Sequence, residues 1–127
     1  MNGTKIVFDT CASIRLLEKQ YNLATLGINV DEVQFFTSVI VRMELLSKRQ
    51  MQEEEERKII SFLDDLIIIS LDEKIEEKAI ELRRNTSLKL PDSIIAATSI
   101  VLDALLLTDD DHLLNISWPG LRAQRII

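Results

Sequence analysis

Apolar residues in this chain fall into short dense runs separated by longer stretches in which they recur at helical spacing. The first run, Ile6, Val7 and Phe8, joins three β-favouring residues and predicts a strand buried on both faces, the usual opening of a parallel sheet. Val33 to Ser38 predicts a second short strand, Ile67 to Ile69 a third buried one and Ala104 to Leu107 a fourth. Leu121 to Ile127, after the turn signalled by Pro119 and Gly120, predicts a short edge strand. Helical patterns lie between them. Ala12 to Gln20 follows the first strand, and Tyr21 to Asp31, with Asn22, Gly27 and Asn29, predicts a break. Thr37 or Ser38 is placed to cap a helix through Val39, Ile40, Val41, Met43, Leu45 and Leu46.

The acid-rich Gln50 to Glu56 predicts a turn and an exposed helix start, as the helix dipole favours, with Ile59, Ile60, Phe62, Leu63 and Leu66 as the apolar face that follows. Asp72 opens a helix with Ile75, Ala79 and Leu82 inward, closed by Arg83 and Arg84. Pro91 suits the first turn of an apolar helix running from Ser93 to Leu102, in which Ala96 and Ala97 allow close packing on the sheet. Strands alternating with helices imply right-handed crossovers and one α/β domain over residues 1–127. The architecture expected is a three-layer α/β/α sandwich around a mainly parallel sheet of four to five strands.

Composition narrows the function. A chain of 127 residues, 46% hydrophobic and 28% charged, suits one compact domain. No apolar run approaches a membrane span and Met1 to Lys5 has no signal-peptide pattern, so a cytoplasmic protein is expected, with no membrane contact. The single cysteine, Cys11, cannot form an internal disulfide and is expected as a small buried hydrophobe. A net charge of −6 argues against coating nucleic acid by bulk electrostatics, although carboxylates gathered around a divalent metal would also make a chain acidic.

Asp9 ends the first strand, Asp110 follows the fourth, and Asp92 opens the helix leading into that fourth strand. If strands one and four are neighbours, Asp9 and Asp110 face one crevice at the carboxyl edge of the sheet, where ligands of such sheets bind. Glu44, set between Met43 and Leu45, could reach it from the helix after strand two. Carboxylates forced together repel, and a hard divalent cation, Mg²⁺ or Mn²⁺, is the natural compensation. Such a site suits phosphoryl chemistry with a metal-activated water. With three glycines there is no phosphate-cradling loop, and the lone His112 and lone Cys11 make neither a zinc site nor a nucleophile–base pair.

Four motifs in register, Val7-Phe8-Asp9-Thr10, Arg42-Met43-Glu44-Leu45, Leu90-Pro91-Asp92-Ser93-Ile94-Ile95-Ala96-Ala97 and Leu107-Thr108-Asp109-Asp110, resemble the PIN domain, specifically the VapC-type toxins of toxin–antitoxin pairs. The resemblance covers essentially the whole chain. It implies a Mg²⁺- or Mn²⁺-dependent endoribonuclease, leaving a 5′-phosphate and a 3′-hydroxyl, a homodimer, and a cognate antitoxin that blocks the site. By position Asp9, Glu44 and Asp92 match the family's three most regular acids and Asp110 the fourth, while Thr10 and Thr108 match polar positions beside the metal. Asp111 is an alternative fourth ligand, since three aspartates follow one another. The chain departs from the pattern at His112 and Leu113, where an acid and an aromatic residue are common, and at Ser93, where alanine is commoner.

Each residue also has a plainer reading. Asp9 could simply cap the following helix and Asp92 simply complement a helix dipole, whereas a solvent-facing Glu44 in an apolar run is harder to explain. His112 reads as a solvated loop histidine and Trp118 as a packing anchor. Arg42, Lys48, Arg49, Arg83, Arg84 and Lys89 flank the expected site and are candidate RNA contacts as a group. Two rivals stand beside the nuclease: a catalytically silent PIN-like protein-binding module, and a receiver- or phosphatase-like phosphotransfer domain. The second lacks its motif, because no second acid follows two residues after Asp9 and no acidic pair ends strand one.

Overall fold

The computed structural model describes residues 4–18, 23 and 27–126. Its elements are β1 (Thr4–Phe8), α1 (Thr10–Leu17), a 3-10 turn (Val30–Glu32), β2 (Val33–Ser38), α2 (Val39–Leu46), α3 (Glu53–Asp64), β3 (Ile67–Ile69), α4 (Glu73–Asn85), α5 (Leu90–Leu102), β4 (Leu105–Thr108), α6 (Asp111–Leu114) and β5 (Arg122–Arg125). All four strand pairings are parallel, in the order β3-β2-β1-β4-β5, so the first strand is the centre of the sheet and β1 and β4 are neighbours.

Alternation along the central strands divides the core. Val7 and Leu106 face a layer that includes α4 and α5, where Leu82, Ile95, Ala96 and Ala97 are almost wholly buried. Ile6, Phe8 and Leu107 face the other way onto Ala12 of α1, Phe62 of α3 and Ile126. Phe8 stacks on Phe35 with ring centroids 5.4 Å apart. The molecule is thus the expected α/β/α sandwich, and among the described residues no helix is long and apolar enough to cross a membrane.

Capping chemistry sets the helix starts. Ser38 accepts from Ile40 N at 3.1 Å and Asp72 from Ile75 N at 2.8 Å, both as their side chains require. Pro91 lies in the first turn of α5, which begins at Leu90 rather than at Ser93. Gly120, at φ +84°, makes the turn that only a residue without Cβ adopts easily, and it leads into β5. Gln20, Asn22 and Ile127, included in three of the sequence-based spans, lie outside the described residues.

Three expectations are corrected. Ile67–Ile69 is an edge strand, not a buried one, with Ile67 47% exposed, because among the described residues no strand pairs with it on its far side. Ile60 is also exposed: one helical step from Ile59, it falls off the narrow stripe that Ile59 and Leu63 bury. Cys11 is exposed rather than buried, since α1 starts at Thr10 and turns Ala12 and Ser13, not Cys11, onto the sheet.

Candidate active site

The end of β1 is pinned from both sides. Thr37 Oγ1 donates to the Phe8 carbonyl at 2.7 Å, and Asp9 N donates to the Leu107 carbonyl at 3.3 Å. The Asp9 carbonyl accepts from Ser13 N at 3.0 Å and from Ser13 Oγ at 2.8 Å. Asp9 is therefore fixed as the strand passes into α1, and it is 3% exposed. One carboxylate oxygen caps the helix, accepting from Ala12 N at 2.7 Å; the other accepts from the hydroxyl of Thr108, the last residue of β4. Capping and site geometry thus belong to the same side chain. Burial, followed by the charges of Asp110 and Asp92, pushes the Asp9 carboxyl up to about 6 against the opposing bonds from Thr108 and Ala12.

Asp92 lies in the first turn of α5, half-buried, and is also held above the ordinary carboxylate range, by burial first and then by Asp110 and Glu44, against the pull of His112 and Lys89. Asp110 caps α6, accepting from His112 N at 2.8 Å, while its own N–H donates to Thr108 Oγ1 at 2.9 Å. Thr108 is therefore the hinge pin of the edge, bonded to Asp9 on one side and Asp110 on the other. Glu44 is exposed and accepts from Thr10 Oγ1 at 2.6 Å. Among the described residues neither Asp9 nor Asp92 has an ion pair.

Two depressions meet these acids. Asp92 and Asp110 share a cavity of about 140 Å³ with Ser87, Leu88, Lys89 and His112. Glu44 and Thr10 instead border a groove of about 420 Å³ between α1, α2 and α3, whose floor includes Ile14, Leu17, Leu45 and Ile59. Among the described residues no three His, Cys, Asp or Glu side chains are gathered closely enough to ligate one ion directly. The donor set nevertheless fits a hard divalent cation that keeps much of its water: the oxygens are carboxylates, they repel one another, and the smaller cavity has room for about four waters at about 30 Å³ each.

The remaining sequence candidates separate. Asp111 is bound to the Arg125 guanidinium and is largely exposed, so Asp110 is the member of the aspartate run that lies with Asp92. Lys48 pairs with Glu55 at 3.0 Å, and Arg83 donates to the Leu88 carbonyl at 3.0 Å. Arg42, Arg49, Arg84 and Lys89 are exposed, Lys89 at the cavity rim. The Cys11 thiol is raised to about 11, by desolvation first and then by Asp9, Asp110, Asp109 and Asp92, which leaves it protonated and unreactive at neutral pH. Sequence reasoning missed Arg15 and Arg125, which together hold Asp109; burial pulls that carboxyl upward, but the two guanidiniums hold it below the usual range. No local signal joins three residues so far apart in the chain.

Comparison with solved structures finds the same fold. VapBC2 from Rickettsia felis, bound to a DNA fragment from its promoter, has a chain 23% identical with a TM-score of 0.81, covering 96% of this chain and 98% of that one. VapBC-1 from nontypeable Haemophilus influenzae gives 19% identity and a TM-score of 0.78 over 96% and 98%. A toxin–antitoxin complex from Klebsiella pneumoniae gives 28% identity and a TM-score of 0.69 over 91% and 93%. No curated protein sequence matches. The PIN domain family model matches residues 6–119, a span that takes in Ile6 to Phe8 of β1, the acids at 9, 44, 92 and 110 and strands β2 to β4, and the chain belongs to the PIN domain family.

Proposed function

We propose that this chain is a VapC-type toxin, a Mg²⁺- or Mn²⁺-dependent endoribonuclease that hydrolyses RNA phosphodiester bonds and is silenced by a cognate antitoxin. The observation that carries the reading is the set of carboxylates at the carboxyl edge of β1 and β4, of which Asp9 and Asp92 make no ion pair among the described residues and are held above the ordinary carboxylate range. The solved VapBC complexes of the same fold support an antitoxin partner, and the family relationship supports a homodimer in the cytoplasm.

In this reading Asp9, Asp92 and Asp110 would hold the ion partly through its retained waters, with Glu44 contributing from α2. A divalent ion held there would supply a more acidic water and charge to offset the scissile phosphate. Thr108 and Ala12 N fix the Asp9 carboxylate before any substrate arrives, so orientation is settled in the folded protein. Thr10 does the same for Glu44. Lys89 and His112, on the rim beside Asp92, meet an incoming phosphate with positive charge and N–H donors.

The test is cleavage of host total RNA by the partner-free protein in Mn²⁺ or Mg²⁺, with new 5′-phosphate ends mapped by sequencing. Discrete ends that vanish with EDTA and in Asp92→Asn are expected. Undiminished ends from a folded Asp92→Asn protein would overturn the reading. Absence of both ends and metal binding would favour the silent binding module.

A further inference from the structure

The three consecutive aspartates after β4 do not share a role. Asp109 lies between two guanidiniums: Arg15 of α1 binds its Oδ2, and Arg125 of β5 donates to its Oδ1 at 2.9 Å and to its carbonyl at 3.4 Å. The other end of the Arg125 fork holds Asp111 Oδ1. Asp110 alone among the three has no arginine, and it alone shares the cavity with Asp92.

We propose that Arg125, assisted by Arg15, is a positioning residue for the candidate metal site: by gripping both neighbours of Asp110, it fixes the turn so that Asp110 is the carboxylate presented beside Asp92. The inference rests on the nuclease reading above and adds to it a determinant outside the matched family span, which ends at residue 119.

Charge and mechanics support the same assignment. Three free aspartates in a row would offer an approaching cation several competing ligand sets, and their repulsion would drive the turn apart. Neutralising the outer two leaves one carboxylate for the site. A forked guanidinium suits this task because its N–H groups are rigidly spread and reach two carboxylates at once, which an ammonium on a flexible stem does not reproduce.

The strand that carries Arg125 also holds the site by its backbone. Arg125 is in register with Thr108, and Ile126, wholly buried, donates from its N–H to the Thr108 carbonyl at 2.9 Å. Thr108 is the residue whose hydroxyl bonds Asp9 and receives the Asp110 N–H. β5 therefore meets the acid edge twice, once through main chain at Thr108 and once through the Arg125 side chain at the turn. Its other arginine, Arg122, is at the opposite end and pairs with Asp103 at 3.4 Å.

The experiment compares wild type with Arg125→Ala, Arg125→Lys and the control Arg122→Ala, measuring Mn²⁺ affinity from the free-ion EPR signal, kcat and KM for RNA cleavage, and melting temperature. Arg125→Ala is expected to bind Mn²⁺ about tenfold more weakly and to lose kcat by at least as much with KM little changed, the scale of effect seen for groups that orient metal ligands. Arg125→Lys, able to hold one carboxylate at a time, recovers part of both losses, and Arg122→Ala matches wild type. Wild-type Mn²⁺ affinity and kcat in a folded Arg125→Ala protein would overturn the proposal, as would an equal loss in Arg122→Ala. Should Arg125→Ala fail to fold, Asp111→Asn opens one arm of the fork and carries the same test: weaker Mn²⁺ binding supports the assignment and unchanged affinity overturns it. A wild type that neither binds Mn²⁺ nor cuts RNA overturns the nuclease reading and this one with it, whereas a wild type that does both beside an unaffected Arg125→Ala overturns this one alone.

Discussion

Two groups of aspartates stand at the same edge of the sheet and are treated in opposite ways. Asp109 is surrounded by Arg15 and Arg125 and held below the ordinary carboxylate range, whereas burial and then the charges of neighbouring acids hold Asp9 and Asp92 above it, against the smaller pull of His112 and Lys89 on Asp92. The first arrangement is complete within the fold. The second leaves Asp9 and Asp92 without an ion pair among the described residues, a configuration that costs stability and persists where an external cation relieves it.

The contrast is broken most sharply by removing charge from the second group. Asp92→Asn or Asp9→Asn should reduce single-turnover cleavage by at least about 10³-fold, roughly 4 kcal/mol of barrier. The melting temperature of the metal-free protein should hold or rise, because a repelling carboxylate has gone.

Titration sharpens it next. Asp9 ionises at about 6 in the fold against an ordinary value of 3.8, so below 6 its carboxyl is protonated and poor for cations. Mn²⁺ affinity and cleavage should rise with pH through that region, about tenfold per unit for one competing proton, and level off above it. The contribution of this group to metal-free stability runs the other way, fully present below 3.8 and lost as pH rises through about 6. Saturating Mn²⁺ should move the activity midpoint downward, and Asp9→Asn should flatten the stability profile.

In the first group the effect should be smaller and opposite in kind. Asp109→Asn should lower the melting temperature and reduce cleavage only about tenfold, through a loosened turn rather than a lost ligand. The smallest change belongs to an ion pair away from both groups. Lys48→Ala removes a solvent-exposed partner of Glu55 and should alter stability by less than about 0.5 kcal/mol in chemical denaturation.

Much of this was legible in the chain. The strand ending at Phe8 and a cap at Thr37 or Ser38 follow from local apolar runs and capping residues, and the structure has the strand and takes Ser38 as the cap; the adjacency of β1 and β4, on which the shared crevice depended, is met in the sheet. Local pattern was least informative where burial depends on partners. Three isoleucines read alike at the middle or the margin of a sheet, yet Ile67 is at the margin. Glu44 looked misplaced in an apolar run, yet Met43 is 56% exposed beside it, and of α2 only Val41 and Leu45 are buried. The division of labour within Asp109, Asp110 and Asp111 was illegible for the same reason, since it is decided by arginines on α1 and β5.

The bond between Thr108 and Asp9 spans 99 positions of sequence. A ribosome making this chain must therefore deliver β4 before the first strand can have its centre-sheet neighbour, and the late arrival of so distant a contact favours slow closure. Until then Asp9 lacks its Thr108 bond and Asp110 has not arrived beside it. The acid edge is therefore assembled last, so that whatever chemistry it performs becomes available only when the sheet closes.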